Sequence, residues 1–223
     1  MRNVVIALIA LVVVAIGITA LFSRPITPES QPDPNASQPA PPPKPPEPPE
    51  ARAKDYDQYR TGAVHATLVI AGRGTLGIEM YPAAAPKTVA HITALCKRHF
   101  YDGQLFHRYI EGFVIQTGDP ASKSVKPSDI AGLPPEEVGT RFRLGIGGSG
   151  ETVPLEAKLS NLPGTLGLAH AVRPDSGDSQ FFINLGDNGR LDSDFCAFGR
   201  VVSGIEIVPR LRQGDRIVSF SVP

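Results

Sequence analysis

The block Phe106-His107-Arg108-Tyr109-Ile110-Glu111-Gly112-Phe113-Val114-Ile115-Gln116-Thr117-Gly118-Asp119 sets a permanent cation and an amide among bulky apolar side chains. Its alternation reads as strand, with Phe113 and Ile115 on one face and Val114 and Gln116 on the other. A second block, Gly167-Leu168-Ala169-His170-Ala171 through Ser179-Gln180-Phe181-Phe182-Ile183-Asn184, adds two more aromatics and another amide. Neither block holds a nucleophile beside its base. The combination suits a reaction in which no covalent bond breaks.

Other chemistries lack their signatures. Gly145-Ile146-Gly147-Gly148-Ser149-Gly150 matches a dinucleotide pattern, but Glu151-Thr152-Val153-Pro154 is extended where a helix must follow. Ser149 lacks the nucleophile-elbow sequence. His65, His91, His99, His107 and His170 have no metal-ligand spacing, and His107 reads as a packing residue. Cys96, on an expected helix, and Cys196, in an expected strand, read as separate buried thiols, too few for a disulfide framework or a metal site. No cofactor and no metal are expected.

The formal charge is +0 and no basic stripe runs through the chain, which argues against a nucleic-acid partner. Proline is abundant, at 23 residues, and much of it lies in one segment. Three regions follow. Residues 1–23 contain the run Val4 to Phe22, in which only Thr19 is polar, close to the ~20 residues that cross a bilayer. We read it as an uncleaved transmembrane signal-anchor, with a signal peptide as the alternative; Arg2 keeps the N-terminus in the cytoplasm. Residues 24–55 form a proline-rich disordered linker favouring extended polyproline II, a spacer between membrane and domain. Residues 56–223 form one globular domain.

Within that domain, Val64 to Ile70, Gly72-Arg73-Gly74 and Leu76 to Met80 predict a hairpin. Pro86 suits a helix start, and Val89, Ile92 and Leu95-Cys96 recur on one face. Further strands are expected at Phe113–Thr117, Thr165–Ala169, Phe181–Leu185, Ala197–Val202 and Ile217–Val222, with a short second helix from Gly204 to Leu211. Ala121 to Gly150 reads as a surface excursion too polar to be core. Many short strands and few helices indicate a mainly β, closed or nearly closed structure.

The ordered blocks resemble the cyclophilins, the peptidyl-prolyl cis–trans isomerases. Phe106-His107-Arg108, Gly112-Phe113, Gln116 and Gly118-Asp119 carry the resemblance. So do Ala85-Pro86-Lys87-Thr88-Val89, Phe100-Tyr101-Asp102-Gly103, Gly164-Thr165-Leu166-Gly167-Leu168-Ala169, Ser179-Gln180-Phe181-Phe182-Ile183 and Leu191-Asp192 with Phe198-Gly199. The resemblance implies a closed eight-stranded antiparallel β-barrel capped by two α-helices. It makes Arg108 the catalytic arginine, with Gln116 beside it. Substrate binding would fall to Phe106, His107, Phe113, Val114, Gln180, Phe182, Leu191 and Phe195, and to the backbone of Ala169, His170 and Ala171, which would hold the peptide as an added strand. Two positions depart from the pattern. Arg190 stands where many members have tryptophan, which bears on cyclosporin sensitivity, and Phe195 stands where many have histidine.

The expected activity is rotation of X–Pro bonds in exported or unfolded polypeptides. The protein would sit in a bacterial inner membrane by a single pass, with a monomeric catalytic domain in the periplasm. The alternative is a non-catalytic module that binds proline peptides within an envelope assembly.

Overall fold

The computed structural model describes residues 55–223. Among these, the strands are β1 (Val64–Ile70), β2 (Gly74–Met80), β3 (Arg108–Ile110), β4 (Val114–Thr117), β5 (Thr165–Leu168), β6 (Phe181–Asn184), β7 (Ala197–Ser203) and β8 (Ile217–Ser221). They form one antiparallel sheet in the order β3-β4-β6-β5-β7-β2-β1-β8. The β1–β2 hairpin runs in unbroken register from Val64↔Met80 to Ile70↔Gly74. Gly72 and Gly74 turn it at φ +68° and +124°, where a Cβ would be strained.

Helix α1 (Pro86–Lys97) begins at its proline and buries Val89, Ile92, Leu95 and Cys96. Its first amides are capped from a distant loop, because Lys87 and Thr88 N–H donate to the two oxygens of Glu156 at 3.2 and 2.9 Å. The apolar face of α1 joins Leu68, Leu76, Ile78, Met80, Ile115, Phe181, Phe198 and Phe220 in the main core. Tyr101, fully buried, meets Phe181 and Phe220 at 5.4 Å each. A satellite cluster gathers Tyr56, Tyr81, Ala84, Leu159, Leu162 and Ala197. There Tyr56 packs edge-on against Tyr81 at 5.5 Å and donates its hydroxyl to the Ser160 carbonyl.

The sheet is not the closed barrel expected from the sequence. It is an open, curled half-barrel whose edges lie 14 Å apart. The edge strands β3 and β8 are not paired with each other. Closure needs strands that run alongside one another for some length, and β3 has three residues. Contact between these regions falls before β3, where Leu105 and Arg216 form an isolated bridge and Phe106 N–H donates to the Asp215 carbonyl.

The expected pair of capping α-helices is also corrected. The segment Ile205–Arg210 is a 3-10 helix, with Pro209 inside it unable to donate to an α-helical ladder. Residues 121–150 are more than a polar surface loop. They include α2 (Pro127–Ile130) and α3 (Pro135–Phe142), each opened by a proline. Ile130, Val138 and Leu144 converge with Leu105 into a small core of their own. Gln213 Nε2 ties this subassembly to the body by donating to the carbonyls of Ile130 and Leu133. Cys196 lies just before β7 rather than within it, and it and Cys96 are buried free thiols.

The expected membrane span and proline-rich linker lie outside the described residues, apart from Asp55. Among the described residues no helix is long and apolar enough to cross a membrane.

Candidate active site

Register brings the key side chains together. Arg108 on β3 pairs with Gln116 on β4, Gln116 pairs with Phe182 on β6, and Phe182 pairs with Gly167 on β5. This row lies on the face opposite Leu166, Ile115, Phe181 and Ile183, which point into the core. Val114 occupies the next row, opposite Asn184. The expected pairing of faces within β4 therefore holds for Val114 and Gln116 against Ile115, whereas Phe113 precedes the strand.

The amides are oriented by their ends. Arg108 Nη1 donates to Gln116 Oε1 at 3.4 Å. Gln116 Nε2 donates to Gln180 Oε1 at 2.9 Å, and Gln180 Nε2 donates to the Gly147 carbonyl at 2.7 Å. A guanidinium can only donate and a carbonyl can only accept, so both carboxamides have one workable orientation. Asp119, fully buried, holds the far end by accepting from Gly145 and Gly147 N–H at 2.7 and 3.0 Å. Burial pulls the Arg108 pKa below its ordinary value, while Glu136 of α3 acts in the opposite direction. A guanidinium is not deprotonated in proteins, so Arg108 remains the site's fixed cation.

Of the apolar side chains expected around the proline ring, Phe182 and Val114 are buried while Phe113 and Leu191 are partly exposed. Phe182 is 4 % exposed and lies over Gly167, where a Cβ would come within 2.3 Å of its Cζ. Phe195 meets Phe182 edge-on at 5.9 Å and stacks on His170 at 4.3 Å. The His170 ring lies over this rim, with Nδ1 and Nε2 each 2.6 Å from a carbonyl, those of Ala171 and Asp194. Of the three backbone amides expected to hold a peptide, Ala169 N–H donates to the Gln180 carbonyl and Ala171 N–H to Ser176 Oγ. Among the described residues the His170 amide has no partner.

Two expected binding residues lie elsewhere. Phe106 is fully buried in the main core, since it precedes β3 on the inward side. His107 is 2 % exposed with neither ring nitrogen hydrogen-bonded, and burial lowers its pKa to about 4. It packs beneath the Gly145 loop.

A positioning network escaped the sequence. Asn188 Nδ2 donates to the Phe113 carbonyl and to Asn184 Oδ1. Asn184 Nδ2 donates to Asn161 Oδ1 and to Thr165 Oγ1, and Asn161 N–H donates to Asp192 Oδ1. These groups fix the backbone around Phe113, Leu191 and Phe195. The one available signal was Asn184 within an apolar strand, because a buried amide must find partners. Among the described residues no cluster of His, Cys, Asp and Glu side chains could hold a metal ion.

Comparisons with known proteins converge on one family. Residues 65–220 match the family described as cyclophilin type peptidyl-prolyl cis-trans isomerase/CLD. A probable peptidyl-prolyl cis-trans isomerase of Brucella suis is 37 % identical over 153 residues, covering 67 % of this chain and 72 % of that protein. Peptidyl-prolyl cis-trans isomerase B of Bacillus subtilis is 38 % identical over 140 residues, covering 61 % of this chain and 82 % of that protein. In three dimensions, a cyclophilin type isomerase of Cryptosporidium parvum superposes with a TM-score of 0.57 at 22 % identity, covering 72 % of this chain and 98 % of that one. A cyclophilin of Hirschia baltica gives 0.56 at 20 %, covering 71 % and 74 %.

Proposed function

The chain belongs to the cyclophilin-type peptidyl-prolyl cis–trans isomerases, and from that premise we propose how its residues turn X–Pro bonds and where they do so. The enzyme acts on proline-containing polypeptides. Rotation about the imide bond must overcome ~18–20 kcal/mol, because resonance along C–N is lost at the twisted midpoint. There the prolyl nitrogen regains a lone pair that neither planar isomer offers. A donor aimed at that nitrogen therefore stabilises the transition state selectively. Arg108 is that donor.

The observation that carries this assignment is the chain Arg108–Gln116–Gln180, which holds the guanidinium in the same cross-strand row as Phe182 without a carboxylate bonded to it among the described residues. Phe182, Val114, Phe113 and Leu191 grip the pyrrolidine ring, contributing roughly 1.5–3 kcal/mol of burial. They also withdraw water from the planar amide, which depends on that water more than the twisted form does. The charge-assisted bond adds about 1.5–3 kcal/mol, one to two powers of ten in rate. The free amide of His170 is the point at which a peptide strand would attach.

We further place the enzyme outside the cytoplasm, tethered to a bacterial inner membrane by Val4 to Phe22 and acting on exported chains. Support for this is the length and apolarity of that run. Two measurements test the proposal. Catalysed isomerisation of a proline peptide should fall by about one to two powers of ten with Arg108→Ala while the fold is retained. Membrane fractionation with mass measurement should find Met1 to Phe22 still attached. A peptide bound without turnover would favour a binding module instead.

A further inference from the structure

Arg190 departs from the family pattern, and its surroundings assign it a task. Its guanidinium lies over the Phe113 ring at 4.6 Å, and the residue is solvent-exposed. Arg190 sits in the short 3-10 turn Gly189–Leu191, whose N-cap is Asn188. The same Asn188 donates to the Phe113 carbonyl at 2.9 Å, so ring and guanidinium are mounted on one rigid unit. The following residue, Leu191, is among the apolar side chains expected around the proline ring. Among the described residues no carboxylate pairs with Arg190, and a ring face leaves most of its donors free for another partner.

We propose that Arg190 is a specificity residue that favours substrates carrying an aspartate or glutamate side chain near the reacting proline. The proposal rests on the isomerase reading of Arg108 and extends it. Arg108 stands opposite Gln116, and Arg190 stands over Phe113, three positions earlier on the same stretch. At ~3.3 Å per residue the two positions against which the cations stand are about 10 Å apart along that direction. An extended peptide covers this span in three residues. With the prolyl nitrogen at Arg108, a carboxylate within three positions of the proline meets Arg190. The guanidinium then donates two hydrogen bonds from its free edge to the carboxylate while its face stays on Phe113.

The test uses the full-length protein and a peptide series in which Glu, Gln or Lys is placed at each of the three positions before and after one proline. For each peptide, kcat/KM and binding are measured together at low and high salt. The expected result is one position at which Glu exceeds Gln by about two- to five-fold at low salt, the range of an exposed ion pair. That ratio should shrink with added salt, persist in Arg190→Lys, fall to one in Arg190→Gln and invert in Arg190→Glu. The readout is a ratio, so a uniform change in rate among the variants does not disturb it. A Glu-to-Gln ratio of one at every position, with the Gln peptides turned over normally, overturns the role of Arg190 and leaves the isomerase assignment intact. Absence of turnover with every peptide, while binding still shows the Arg190-dependent ratio, overturns the assignment of Arg108 and upholds this one.

Discussion

The Arg108 guanidinium donates to the Gln116 carboxamide across the β3–β4 pair, so that the cation is aimed by a neutral amide instead of being neutralised by a carboxylate. Arg108→Ala should lower kcat/KM for a proline peptide by about one to two powers of ten. Arg108→Lys should recover only part of that loss, because an ammonium keeps the charge but not the planar fork. The urea midpoint of both variants should stay near wild type. Wild-type rates in Arg108→Ala would show that the guanidinium is dispensable.

Gly167 has no room for an added methyl group beside the pocket. Its Cβ would come within 2.3 Å of the Phe182 ring, and Phe195 blocks that ring's retreat with an edge contact. Gly167→Ala should therefore tilt a pocket wall, lowering kcat/KM about tenfold and stability by roughly 1–3 kcal/mol, as overpacking does. Paired kinetics and urea unfolding check both numbers. An unchanged rate would place the proline ring elsewhere.

His107 should make stability depend on pH. Its pKa falls from 6.5 to about 4 because burial disfavours the charged ring. Between those values the unfolded chain binds a proton that the folded chain refuses. Stability is therefore complete above pH 6.5, falls as pH drops towards 4, and loses nothing more from this group below that. The contribution is on the order of 3 kcal/mol. Comparing urea midpoints at pH 4.5 and 7.5 for wild type and His107→Leu isolates it. An equal pH dependence in the two proteins would mean that the ring is hydrated.

The two thiols should be inert in the folded state. Burial raises Cys96 to about 12 and Cys196 to about 11, so neither supplies thiolate at neutral pH. Iodoacetamide at pH 8 should leave the native mass unchanged and add two groups after denaturation. A single adduct on native protein would identify an open thiol.

Removing the Asp119 carboxylate should loosen the loop that ends the amide chain. Asp119→Ala takes the carboxylate partner away from the partly buried amides of Gly145 and Gly147. Each such loss costs about 1–3 kcal/mol. Hydrogen exchange at those two amides should rise markedly, and protection equal to wild type would refute the anchor.

How much of this was written in the chain differs by element. The β1–β2 hairpin and α1 were legible because each has an undiluted period, two or 3.6 residues, with a glycine turn or an N-terminal proline as punctuation. The site row was legible through the resemblance, since Arg108, Gln116 and Phe182 lie in blocks whose order is shared with a family. Periodicity was silent elsewhere. Ile130, Val138 and Leu144 are isolated apolar residues in polar surroundings, and only their convergence on Leu105 makes them a core. Phe106 adjoins the catalytic residues in sequence, yet the chain before β3 turns its ring inward. Closure of the sheet depends on how far two edge strands run together, and β3 ends after three residues. The asparagine network joins position 161 to positions 184 and 188, a separation that no local pattern spans.

Tyr56 has a mechanical consequence. It is 1 % exposed, and its hydroxyl is bonded to the Ser160 carbonyl, next to the Asn161 amide that Asp192 holds. A pull applied through the backbone at residue 55 thus loads an aromatic plug before it loads any strand. Extracting that plug would release the Ser160–Asn161 turn and slacken the pocket's rim, while the eight-stranded scaffold still bore no tension.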